Sequence, residues 1–137
     1  MKSKWFSVTI VFVVALLSVE ALGAKTFPLT SSPTVPAASG KVEVKKDKNG
    51  NNELTIKAEH LAQPGRLTPP ATTYVVWFQE RNGDPMSQGE LRVRKDLGGE
   101  FKATTHLSNF DVLITAEGDP TTKSPSGQVV LTAKVQE

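Results

Sequence analysis

Thr72-Thr73-Tyr74-Val75-Val76-Trp77-Phe78-Gln79 is the stretch that decides the fold. Its centre is an unbroken apolar run of aromatic and β-branched residues with no charge, glycine or proline. Such a run is too short for a buried helix and suits a strand covered on both faces. Trp77 is expected in the core, with Tyr74 and Phe78 sharing the opposite face.

Away from this strand the chain alternates with a period of two, the mark of half-buried strands. Upstream, Val42 and Val44 alternate with Lys41, Glu43 and Lys45, and Leu54, Ile56 and Ala58 alternate with Thr55, Lys57 and Glu59. Asn49-Gly50 between them offers positive φ cheaply and predicts a hairpin. The proline-rich stretch from His60 to Pro70 predicts a long connection between layers. Downstream, Asn82-Gly83 predicts a second hairpin. Glu90 to Lys95 then alternates with Leu91 and Val93 inward, and Gly98-Gly99 turns the chain. Phe101, Ala103, Thr105 and Leu107 face in along the next strand, and Phe110 to Ala116 and Gln128 to Val135 supply the last two. About seven short strands with regular turns and no convincing helix predict an all-β domain over residues 40–137. The expected architecture is an antiparallel immunoglobulin-like β-sandwich, with a small β-barrel as the alternative.

The residues ahead of this domain read differently. Residues 25–39 hold Pro28, Pro33 and Pro36 among small polar side chains, the composition of a flexible, disordered linker. In residues 1–24, Lys2 and Lys4 precede an apolar run from Trp5 to Val19, and the small residues Ala21, Gly23 and Ala24 follow. A basic start, a short apolar core and a small-residue exit predict a secretory signal peptide, cut after Gly23. The run is shorter than the ~20 apolar residues of a spanning helix. Membrane attachment is therefore expected only through an uncleaved signal. The domain is expected to work outside the cytoplasm, periplasmic or secreted.

With no cysteine, disulfides, thiol chemistry and cysteine lipidation are excluded, and the core must hold by burial alone. The full chain has 16 basic and 14 acidic side chains. Removing residues 1–24 leaves 14 and 13, a balance that does not point to nucleic acid.

Catalytic candidates are few. The two histidines, His60 and His106, fall short of the three or four ligands of a zinc site. No serine stands in a G-x-S-x-G elbow. Neither enzyme activity nor a metal or cofactor is expected. Asp47, Asn49, Asn51 and Glu53 carry oxygens at alternate positions, as calcium loops do, but only two are carboxylates, and a hairpin turn is the expected reading of the string. Arg92, Arg94 and Lys95, flanked by Glu90 and Asp96, read as a solvated stripe. Tyr74 and Phe78 are candidates for stacking on a ligand if their face is exposed.

Tyr74 to Gln79, the hairpin at Asn82 to Pro85, Ser87 to Gly89, and above all Ile114-Thr115-Ala116-Glu117-Gly118-Asp119-Pro120 with Gly127 and a β-branched strand after it form a recognisable set. Over Leu54 to Val135 the chain resembles the extracytoplasmic C-terminal domain of the anti-sigma-K factor family. That family joins this outer β-domain to a membrane helix and a cytoplasmic sigma-binding part. The residues ahead of the hydrophobic run are too few for that part, so the resemblance extends to the outer domain. It implies a non-catalytic sensing or interaction module that contacts another protein of the bacterial envelope. Glu117, Gly118 and Asp119 join Tyr74 and Phe78 as candidate contact residues. The alternative expectation is a small-ligand or glycan-binding module.

Overall fold

A computed structural model describes residues 23–137, so the signal-peptide expectation lies almost entirely outside the described residues. The described residues form eight strands: β1 (Lys25–Ser31), β2 (Ser39–Lys46), β3 (Asn52–Glu59), β4 (Thr73–Glu80), β5 (Met86–Leu91), β6 (Gly99–Thr105), β7 (Phe110–Glu117) and β8 (Val129–Val135). A 3-10 turn, Pro64–Arg66, lies in the connection from β3 to β4. Among the described residues no helix is long and apolar enough to cross a membrane.

All neighbouring strands are antiparallel, in the order β5-β4-β7-β8-β1-β2-β3-β6, and the sheet rolls into a barrel-like form. Local chemistry sets the hairpins. At the β2–β3 turn the Asp47 carboxylate accepts from the Asn49 and Asn51 amides at 2.8 and 2.9 Å, and Gly50 takes a φ of 79°. Asn82, with φ 64°, turns β4 into β5. The core gathers the inner-facing residues that alternation marks: Val42 and Val44, Leu54 and Ile56, Val112 and Ile114, Leu131 and Ala133.

Three expectations change. The first concerns residues 25–39, expected as a flexible linker: Lys25–Ser31 is a strand, paired with β2 through Leu29 and with β8 at Thr30 and Ser31. Phe27 and Leu29 alternate onto the inner face opposite Val42 and Gly40. A Cβ at Gly40 would crowd the Leu29 Cδ1 at 2.9 Å, so the glycine makes room for that side chain. Pro28 is tolerated because β1 has no partner on its β8 side at that point, and proline fits an open edge. Val35 and Ala38 are also buried, so the segment after β1 closes over the core.

Second, β5 ends at Leu91, whereas alternation predicted a strand from Glu90 to Lys95. The hairpin from Asn82 pairs Phe78 with Met86, which brings the strand forward. A register shift between Val76 and Trp77 absorbs one residue of β5, next to Gly89 with its φ of 137°.

Third, β4 is covered on both faces and Trp77 is buried as expected, but the main core cluster lies on the face of Tyr74 and Phe78. Tyr74, Val76 and Phe78 belong to the core cluster, and Phe78 packs on Phe110 with ring centroids 4.9 Å apart. Val75 and Trp77 alternate to the opposite face and are buried there, outside that cluster. A strand that is apolar on both faces carries no phase in its sequence.

Candidate functional site

Tyr74 and Phe78 are both fully buried, so neither presents a ring to a ligand. The Tyr74 hydroxyl donates to the Ala62 carbonyl at 2.7 Å, and burial pushes its pKa up to about 12. The stacking-platform expectation fails because the loop before β4 covers this end of the strand.

Glu117 ends β7 with its carboxylate buried, the one buried acidic side chain among the described residues. Four donors converge on it. The Thr115 hydroxyl donates at 2.6 Å, the Ser126 hydroxyl at 2.6 Å, the Ser126 amide at 3.0 Å and the Gly127 amide at 3.1 Å. Behind them the Trp77 indole N–H donates to the Thr115 hydroxyl at 2.8 Å. Burial acts to raise the carboxyl's pKa, but the Ser126 and Thr115 hydroxyls and the two amides outweigh it and hold the group below its ordinary value. A Cβ at Gly127 would run into the Ala116 carbonyl. Glycine there lets the chain return close enough to donate to Glu117.

Glu117 therefore clamps the base of the loop from Gly118 to Ser126. Gly118 and Asp119 stand exposed on that loop, where the Asp119 carboxylate accepts from the amide and hydroxyl of Thr121 at 2.8 and 2.7 Å. The clamp separates the contact candidates: Glu117 is structural and inaccessible, while Gly118 and Asp119 face solvent.

His60 follows β3 and His106 follows β6. Their antiparallel pairing, Asn52 with Thr105 and Ala58 with Gly99, puts the two imidazoles at opposite ends of one ladder. Among the described residues no three histidine, cysteine, aspartate or glutamate side chains cluster together.

A second locus had no marker in the sequence. Strand β1 runs along β2 from Lys25 to Leu29 and meets β8 only at its end, at Thr30 and Ser31, beyond which the Ser32 amide donates to the Val130 carbonyl at 2.9 Å. The edge of β8 from Ala133 to Val135 and the edge of β1 from Lys25 to Leu29 are thereby left without a ladder between them. A hollow lies on either side of this split seam. The outer one, about 480 Å³, has walls at Pro28, Thr30, Leu113 and Lys134. The inner one, about 230 Å³, opens at the end of the barrel between Lys25, Phe27, Val44, Asn52 and Val135.

Directly paired residues share a sheet face. Lys25 pairs with Val44, and Lys46 pairs with Asn52, so both lysines stand on the inner face at this mouth. Lys46 bonds Glu137 at 2.8 Å, and that bond holds the Glu137 carboxyl below its usual range. Asn52 is buried. Its Nδ2 donates to the Leu107 carbonyl at 2.7 Å, and its Oδ1 has no donor among the described residues. Asn52 reads in the sequence as one more turn residue after Gly50; only its place at the barrel mouth makes it notable.

No family model, curated protein or solved structure matches the chain.

Proposed function

We propose that this chain is an exported, non-catalytic β-module that acts by contact with another protein of the bacterial envelope, as the outer domain of anti-sigma-K factors is expected to do. The observation that carries this reading is the split seam between β1 and β8. Strand edges without a ladder offer backbone N–H and C=O groups to an added strand, and hollows on both sides leave room for its alternate side chains. A structural role for Glu117 supports the non-catalytic part, since both its oxygens are occupied by the loop it clamps. Pairing of β1-β2-β3-β6 on one side and β5-β4-β7-β8 on the other, joined through β1, supports reading the rolled sheet as an immunoglobulin-like sandwich.

Site-specific photo-crosslinking in envelope preparations tests the reading. A photoreactive residue in place of Lys134, exposed beside the seam, is expected to trap a protein adduct. The same residue in place of Lys48, on the remote β2–β3 turn, is expected to trap none. Equal adducts from both positions, or recovery of a glycan and no protein, would overturn the proposal.

A further inference from the structure

We infer that Asn82 is a self-modification site, where the side-chain amide is lost through attack by the Gly83 backbone nitrogen and an acid takes its place. The inference is independent of the protein-contact reading and needs no reagent but water.

An asparagine followed by glycine carries its own electrophile and nucleophile. The glycine nitrogen attacks the asparagine Cγ and closes a five-membered imide ring, and glycine has no Cβ to hinder the approach. The nitrogen gives its proton to solvent, and the bond from Cγ to the side-chain nitrogen breaks with release of ammonia. Water then adds to one of the two ring carbonyls. Opening at one leaves aspartate. Opening at the other leaves isoaspartate, in which the main chain runs through the former side chain. An amide and two backbone atoms have become an acid, with one water consumed, one ammonia released and no change of oxidation state.

The sequence holds two such pairs, Asn49-Gly50 and Asn82-Gly83, and both are exposed. Ring closure swings the asparagine–glycine peptide out of its turn, so the bonds that hold that peptide must open first. The two turns differ in how firmly they hold it.

Asn49 stands in a bracketed turn. The Gly50 amide donates to the Asp47 carbonyl at 3.2 Å, and the Asp47 amide donates to the Asn51 carbonyl at 2.9 Å. The Asp47 carboxylate then takes the Asn49 and Asn51 amides at 2.8 and 2.9 Å, on either side of the reacting peptide. Pairing of β2 with β3 runs right up to the turn, at Lys46 and Asn52. Asn82 stands in a looser one. The Gly83 amide donates to the Glu80 carbonyl at 3.0 Å, and the exposed Gln79 Nε2 donates to the Gly83 carbonyl at 3.0 Å. Pairing of β4 with β5 starts only at Phe78 and Met86, leaving the chain between them outside that ladder. Asn82 also holds a φ of 64°, a left-handed backbone that opening relaxes. Sequence alone makes the two pairs equivalent; the turns make Asn82 the one that reacts.

The product changes the surface locally. A new carboxylate appears on the rim of a hollow of about 540 Å³ whose walls include Glu80, Arg81, Phe110, Asp111 and Lys134. Isoaspartate also lengthens the backbone of the β4–β5 turn by one atom.

The test is incubation of the full chain in mildly alkaline buffer, followed by peptide mapping with mass spectrometry. The peptide carrying Asn82 is expected to gain the mass of an amide-to-acid change, as a mixture of aspartate and isoaspartate. The peptide carrying Asn49 is expected to lag about tenfold or more, the scale of one hydrogen bond to a charged group. In urea the two are expected to react at similar rates, because the turns are gone. Asp47→Ala is expected to bring Asn49 towards the rate of Asn82 and to leave Asn82 unchanged. Gly83→Ala is expected to slow Asn82 sharply; its added Cβ meets nothing closer than the Glu80 carbonyl at 3.4 Å, so the fold accepts it. Equal rates at the two sites in the folded chain, a faster reaction at Asn49, or an Asn82 that stays intact when folded and reacts only in urea would overturn the inference.

Discussion

Glu117 shows how one buried charge can organise a surface loop. Its carboxylate accepts from Thr115, Ser126 and Gly127, and Thr115 in turn accepts from Trp77. Replacing one oxygen by an amide puts N–H groups against donors. Glu117→Gln is therefore expected to cost about 2–3 kcal/mol in urea unfolding, the range for hydrogen bonds to a charged group. The acid limb gives an independent check. The folded carboxyl lies below its ordinary value near ~4.3. Its stabilisation is complete above that value and is lost as pH falls through the lower folded one. Stability of Glu117→Gln should fall less steeply over that acid range. Tyr74 gives the opposite limb. It is the only tyrosine in the chain, so tyrosinate absorbance reports on it alone. Titration of the folded protein is expected to show a midpoint at about 12. Because the folded value is raised, the stabilisation is intact below the unfolded value near ~10 and is lost as pH rises through the folded one.

At the scale of elements, β1 is the piece that composition disguised. Three prolines and several small polar residues argue for disorder, yet Leu29, Val35 and Ala38 are buried. A chain begun at Gly40 loses all three and uncovers the edge of β2. It is expected to lose about 4 kcal/mol or more, given the ~2–5 kcal/mol cost of a single large-to-small core deletion. Urea denaturation and size-exclusion chromatography would measure the loss and any association through the bared edge. The loop after β7 makes a second case. Gly127→Ala drives a Cβ into the Ala116 carbonyl, so the loop must shift and release Glu117. Amide exchange across residues 118–127 should then rise by orders of magnitude while that of β4 changes little. Unchanged exchange in the loop would show that the clamp is not anchored at Gly127.

Across the whole molecule, a gradient of order follows from the strand order. Strands β4 and β7 pair with each other along their full lengths and lie inside the sheet. The seam edges of β1 and β8 lack that cover. Hydrogen exchange is expected to be slowest in β4 and β7, with the seam-facing amides of β1 and β8 among the fastest of the strand amides. The reverse order would contradict the split seam on which the proposed contact depends.

Turns and alternation are local, and they were legible. Asn49-Gly50 and Asn82-Gly83 lie in turns, and Val42, Leu54, Val112 and Leu131 face the core. Positive φ and period-two burial depend on near neighbours alone, so residue types along the chain by themselves determined an all-β, antiparallel body and most of its inner face. Tertiary structure decided the rest. Tyr74 and Phe78 joined the main cluster while Trp77 was buried on the opposite face, because a run apolar on both faces has no preferred side until other strands cover it. Pro28 joined a strand because at an open edge no neighbour requires the N–H that proline lacks, and which edge stays open is a matter of global pairing. Lys25, Asn52 and Val135 meet at one mouth only because β1, β3 and β8 end there, and no local pattern records which strand ends come together.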